Sequence, residues 1–128
     1  VGILIYFKYF NFIIENITDS YLIGASIESG NRLPHNLYMC FKGVEGESLL
    51  ILLDMNEIQV STGSACNSNS ITPSTTLSAI GMDKHDIHSC IRMTFSGKET
   101  QEELDHVCKT IKQCVEKLRC FNTQQNIL

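Results

Sequence analysis

The chain has no apolar run of membrane-spanning length, no clustered Lys or Arg, no C-x-x-C pair and no glycine-rich nucleotide loop. Each absence removes a class of function. A spanning helix needs about 20 consecutive apolar residues, whereas the apolar opening Val1-Gly2-Ile3-Leu4-Ile5-Tyr6-Phe7 is interrupted by Lys8 and Asn11. It carries no basic leader or small-residue cleavage site, so a buried helix edge accounts for it better than a membrane segment. A formal net charge of -4 and a pI near 5.5 leave no basic footprint, and nucleic acid is not expected as a direct ligand. Without G-x-G-x-x-G or a P-loop, nucleotide binding has no support. The missing initiating Met fits a piece of a longer polypeptide whose apolar start wants a partner surface.

Six cysteines are present, but their positions do not form a metal or disulfide pattern. Cys108, Cys114 and Cys120 follow one another at six-residue steps, a rotation of about 240° each on a helix, so they point in different directions. Cys40, Cys90, Cys108, Cys114 and Cys120 read as reduced structural thiols of a cytoplasmic protein rather than disulfides or zinc ligands. At 128 residues, with 43% apolar and 19% charged, the chain suits one soluble domain with a single core.

Hydrophobic spacing sets the expected elements. Phe10, Ile13, Ile14 and Ile17 mark a helix face over residues 3–17, and Tyr21-Leu22-Ile23 reads as a short strand. Leu37 to Phe41 is the central strand candidate, Ser48 to Met55 a helix burying Leu49, Leu50, Leu52 and Leu53, and Ile58 to Ser61 a further strand. Thr75 to Ile80 is a short helix ended by Gly81, and a helical turn spans Asp83 to Ser89. In the strand Cys90 to Phe95, alternation puts Ile91, Met93 and Phe95 on one face and Arg92 and Thr94 on the other. Thr100 with Glu103 forms a capping box for a terminal helix whose stripe is Leu104, Val107, Cys108, Ile111, Val115 and Leu118. Residues 122–128 are a polar tail expected to fray. The fold class is α/β, a small, largely antiparallel sheet covered by helices.

Cys66 differs from the other thiols. It ends the small-residue run Ser61-Thr62-Gly63-Ser64-Ala65 and is followed by Asn67, Ser68, Asn69 and Ser70, neighbours that offer a buried thiol nothing to pack against. Small residues permit backbone movement and access to the sulfur, which suits a nucleophile or carrier. No basic sequence neighbour lowers its pKa, so activation must come from the fold or from a bound group. Arg92 offers planar, bidentate donors for a carboxylate, or it is an ordinary sheet-surface Arg paired with an acid. The histidines are His35, His85, His88 and His106, of which His106 reads as a solvated helix residue and His88 as a satisfied turn or core histidine, and Glu45 and Glu47 flank Gly46 where carboxylates favour a helix N-terminus.

Three stretches act together as motifs: Val44-Glu45-Gly46-Glu47-Ser48-Leu49-Leu50; Ser61 to Cys66 with Pro73-Ser74 beyond; and His88-Ser89-Cys90-Ile91-Arg92, with Thr100 to Asp105 after it. They resemble V-E-G-E-[SA]-L, S-S-G-S-A-C…P-S, H-[SG]-S-I-R and T-x-E-E-[IL]-D of group I cysteine desulfurases, pyridoxal-phosphate enzymes of the class V aminotransferase type. The resemblance runs from about Asn31 to Arg119 and covers the C-terminal third of such an enzyme, the small domain of fold type I. It implies that the loop cysteine, here Cys66, takes the sulfur of L-cysteine as a persulfide with release of alanine. Arg92 matches the arginine that pairs with the substrate carboxylate.

The same resemblance implies a sulfur acceptor such as an iron-sulfur scaffold or a tRNA-thiolating protein, and a homodimer for the full-length enzyme. The cofactor lysine, ring-stacking histidine and phosphate loop belong to a large domain with no counterpart here, so this chain alone is expected to be inactive. The alternative is a stand-alone persulfide carrier or interaction module. Arg32-Leu33-Pro34-His35-Asn36-Leu37-Tyr38 departs from R-x-P-N-[TI]-L-N at both asparagines, and Thr94-Phe95-Ser96-Gly97-Lys98 departs from S-L-G-R-F in losing an arginine. Residues 1–7 match the family poorly and read as a cut edge.

Overall fold

In a computed structural model of the chain, the backbone is described for residues 2–63 and 74–127, and the side chains for 6–63 and 74–123. The elements run α1 (Gly2–Asn16), β1 (Ser20–Leu22), β2 (Asn36–Phe41), α2 (Gly46–Met55), α3 (Thr75–Ala79), β3 (Cys90–Thr94) and α4 (Gln101–Ile127), with single 3-10 turns at Ile27–Ser29 and Ile87–Ser89. The three strands form one sheet in the order β1-β2-β3, antiparallel throughout. Among the described residues no helix is long and apolar enough to cross a membrane.

Period-two alternation gives the sheet two unlike faces. Leu37, Met39 and Phe41 of β2 and Ile91 and Met93 of β3 point into the main core, where they meet Ile13 and Ile17, Leu49 and Leu53 of α2, and Ile111 and Val115 of α4. Each such side chain contributes about 1.5–3 kcal/mol by leaving water, and α4 closes the layer by packing on both α1 and α2. The opposite face carries Tyr21, Tyr38, Cys40 and Cys90, which cluster with Leu77 of α3 and with Ile87. Helices therefore cover one face fully and the other only in part.

Several expectations are corrected. Ile58 to Val60 is not a strand: only Ser61 bridges to β3, at Arg92, while Ile58 and Val60 pack into the core instead. Leu50 and Leu52 are half-buried beside fully buried Leu49 and Leu53, and Ile14 is exposed because the buried face of α1 includes Tyr9. The helical turn before β3 is confined to Ile87–Ser89.

At the C-terminus, α4 runs to Ile127. Asn122 Nδ2 donates to the Gly43 carbonyl at 2.8 Å and Thr123 Oγ1 to the Arg119 carbonyl at 2.9 Å, which holds the polar turn in place. The capping box forms as read: Thr100 Oγ1 accepts from the Glu103 N–H at 3.1 Å, and the Thr100 N–H donates to Glu103 Oε2 at 2.8 Å.

Candidate active site

The partly covered sheet face gathers the candidate residues. Arg92 lies on β3 between buried Ile91 and Met93, so alternation turns its guanidinium outward. Among the described residues that group makes no hydrogen bond or ion pair, unlike the carboxylate-paired arginine of an ordinary sheet surface. Its backbone is fixed on both sides. Across β2 it faces Tyr38; on the other edge its N–H donates to the Ser61 carbonyl at 2.6 Å, and its carbonyl accepts from the Ser61 N–H at 3.0 Å.

Three consecutive residues are thereby anchored where the chain enters the Cys66 segment. Ser61 is held by β3. Thr62 Oγ1 donates to Glu47 Oε1 at 2.9 Å. Gly63 lies against Tyr38 so closely that an added Cβ would stand 1.7 Å from the phenol oxygen, a position open to no other residue type without movement. The Tyr38 hydroxyl is buried with no hydrogen-bond partner among the described residues. Burial pushes its pKa up, Cys90 adds to the rise, and Arg92 opposes it. Cys66 itself lies outside the described residues.

Sequence reasoning missed two of these anchors. Glu47 was read as a helix-terminus carboxylate, yet it reaches Thr62, and Glu45 at the N-cap makes no capping bond but accepts from Ser48 Oγ at 3.1 Å. Tyr38 reads as a member of the central strand and as a replacement for the family's asparagine; its place opposite Arg92 follows from strand register, which the sequence alone does not show. Gly46 must be glycine for another reason: a Cβ there would lie 2.9 Å from the Cys90 carbonyl oxygen and 3.1 Å from that of His88. That contact draws the start of α2 against the turn before β3. His88 is exposed beside Thr62 and Gly63, and His106 is exposed on α4, its Nε2 3.3 Å from the Asn56 carbonyl.

Deeper on the same face, Cys40 and Cys90 are opposite each other in β2 and β3. Both thiols point at the Asp86 carbonyl, at 3.1 Å for Cys90 and 3.7 Å for Cys40. The Asp86 carboxylate accepts from the Tyr21 hydroxyl at 2.8 Å and lies 3.9 Å from Lys42 Nζ. The hydrogen bond with Cys40, then burial, pushes the Cys90 thiol up, so it stays protonated. Cys108 and Cys114 are buried and Cys120 is exposed.

Residues 8–107 match the family described as "Aminotransferase class-V", and the chain belongs to that family. Among curated proteins it is similar to cysteine desulfurase IscS of Dictyoglomus turgidum, at 43% identity over 108 residues, covering 84% of this chain and 27% of that protein. The IscS of Vibrio vulnificus is 39% identical over 109 residues, 85% of this chain and 26% of the relative. The chain thus spans about a quarter of the length of the curated relatives it matches.

Two solved structures share the fold. A NifS-like protein aligns with TM-score 0.72 at 23% identity, covering 90% of this chain and 27% of that one. The NifS-like protein of Rickettsia africae aligns with TM-score 0.70 at 16% identity, over 90% of this chain and 28% of that one. The class V resemblance and the α/β antiparallel architecture read from the sequence are both borne out.

Proposed function

We propose that the full-length protein is a cytoplasmic, pyridoxal-phosphate-dependent cysteine desulfurase. In this reading the chain supplies Cys66 as sulfur acceptor and Arg92 as the binding group for the L-cysteine carboxylate. The observation that carries it is the Ser61–Arg92 backbone pair, which fixes the root of the Cys66 segment to the strand presenting a guanidinium that has no partner among the described residues. A fork of N–H donors held on a strand pre-orients a carboxylate at little entropic cost. Once the carboxylate is held, the substrate sulfur can be met by a thiol arriving from the anchored segment. Sulfur then leaves as a Cys66 persulfide for an acceptor such as an iron-sulfur scaffold or a tRNA-thiolating protein, and alanine is released.

The residues here do not fit pyridoxal 5'-phosphate by themselves. The hollow at the loop root, lined by Glu47, Thr62, Gly63, Ser74 and His88, holds about 20 Å³ and has no lysine. The cofactor and its lysine are assigned to the large domain of the full-length protein, which also supplies much of a homodimer contact, and the 128-residue chain alone is inactive.

The test is turnover of L-cysteine by the full-length protein, with alanine quantified and the persulfide located by mass spectrometry. Cys66 should carry the persulfide, and Cys66→Ala should lower alanine formation on the order of 1,000-fold, the scale of losing a nucleophile. Alanine and sulfide release unchanged in that variant would overturn the assignment.

A further inference from the structure

We propose that Cys40 and Cys90 form an oxidation site that closes to an intrachain, cross-strand disulfide when a small peroxide reaches the sheet. The two residues are register partners in β2 and β3. The hydrogen-bond pattern shows which kind of partners they are. Even-numbered β2 residues turn their backbone groups toward β1: the Tyr38 carbonyl accepts from the Ile23 N–H and the Lys42 N–H donates to the Asp19 carbonyl, both at 2.9 Å. Odd-numbered positions serve β3, as the 2.9 Å bond from the Phe95 N–H to the His35 carbonyl shows at the end of the ladder.

Cys40 and Cys90 are therefore a non-hydrogen-bonded pair, the closer of the two antiparallel arrangements, with Cα atoms about 4.5 Å apart. That lies inside the range of about 4.4–6.8 Å that a disulfide spans. Both sulfurs already share one acceptor, the Asp86 carbonyl, at 3.1 and 3.7 Å, so both point the same way.

Burial selects the oxidant. With exposures of 0% and 2% for Cys40 and Cys90, the thiols are closed to a bulky disulfide, and the hollow that borders Cys90 holds only about 20 Å³, the scale of a small peroxide. One thiol attacks a peroxide oxygen, giving a sulfenic acid and one water. The second thiol displaces the sulfenic hydroxyl as a second water and forms the S–S bond. Each sulfur loses one electron and one proton, and hydrogen peroxide takes up the two electrons and two protons to become the two waters. Closure removes two S–H donors from the Asp86 carbonyl, leaving it the Ser89 N–H at 2.9 Å. The pair lies two residues from Tyr38 and Arg92 on the same face, so its redox state bears on the turn and strand that carry the candidate site.

The site stands apart from the desulfurase reading and is tested without turnover. The folded full-length protein is treated with hydrogen peroxide, denatured, alkylated and mapped by mass spectrometry. The expected result is a peptide pair joined through Cys40 and Cys90 with loss of two hydrogens, joint loss of alkylation at both positions, and reversal by dithiothreitol. Cys40→Ser should abolish the cross-link. Full alkylation of Cys40 and Cys90 in a sample whose exposed Cys120 has been oxidised would overturn the proposal, as would pairing of either residue with another cysteine instead.

Discussion

Ser61 and Arg92 exchange both of their backbone hydrogen bonds, at 3.0 and 2.6 Å, across a single isolated bridge. The start of the Cys66 segment and the candidate carboxylate-binding residue are thus linked by two main-chain bonds and not by adjustable side chains. Their spacing is a property of the sheet edge. A rigid root of this kind is what a thiol needs if it is to meet a substrate whose carboxylate is held on the neighbouring strand.

Arg92→Lys in the full-length protein is therefore expected to lower kcat/KM for L-cysteine about 10- to 100-fold, mostly through KM. A lysine keeps the charge but loses the planar fork, and charged hydrogen bonds are worth about 1.5–3 kcal/mol. Since the side chain is exposed, the unfolding midpoint should move by no more than about 0.5 kcal/mol in equivalent stability. Steady-state kinetics with denaturant unfolding on the same sample checks both. Unchanged kcat/KM would remove Arg92 from the site.

Gly63 and Tyr38 give a second test. Gly63→Ala places a methyl 1.7 Å from the Tyr38 hydroxyl oxygen and 3.0 Å from its Cζ, an overpacking expected to cost about 1–3 kcal/mol. Tyr38→Phe removes a buried hydroxyl that has no partner among the described residues, so alone it should be neutral or slightly stabilising. Combined, the two changes should couple favourably by about 0.5 kcal/mol or more, because the oxygen is the nearer clashing atom. Strict additivity in denaturant midpoints would show that the contact is absent.

How far the sequence reveals this arrangement depends on the interaction involved. Strand β3 and α4 were legible because their order is local: alternation exposes Arg92, and the Thr100–Glu103 box starts a helix whose stripe is already in the sequence. Ile58 to Val60 was misread because apolar content favours a strand but cannot say whether an edge is free to pair along its length. Glu47 reads from sequence as a helix-terminus carboxylate because its partner, Thr62, is brought near only by folding. The closeness of Tyr38 to Gly63, and of Cys40 to Cys90, follows from register, which a single strand does not encode.

Arg119 ties α4 to the far end of the sheet and predicts a stability effect. Its Nη1 donates to the Thr18 carbonyl at 2.7 Å, Nη2 to Asp19 at 3.1 Å and Nε to Lys42 at 3.0 Å. Three carbonyls at the β1 and β2 ends converge on one guanidinium, a pattern that an ammonium cannot reproduce. Arg119→Lys should cost about 1–2 kcal/mol and Arg119→Ala about 2–3 kcal/mol, read from denaturant midpoints. Equal stability of wild type and Lys variant would mean that the fork carries none of the load.

Alkaline pH should weaken the fold through the buried thiols. Burial, assisted by the charge of Asp105, pushes the Cys108 thiol from 9.0 up to about 12, and burial also raises Cys114. A thiol whose folded pKa is raised stays neutral in the native state while the unfolded chain ionises. Its contribution is therefore intact below about pH 9, the unfolded value, and is lost progressively as pH rises toward about 12. The thermal midpoint should fall as pH is raised from about 8 to about 10.5, and Cys108→Ala, though less stable at neutral pH from the lost side chain, should fall less steeply. A slope identical to wild type would show that Cys108 ionises as readily in the folded protein as in the unfolded chain.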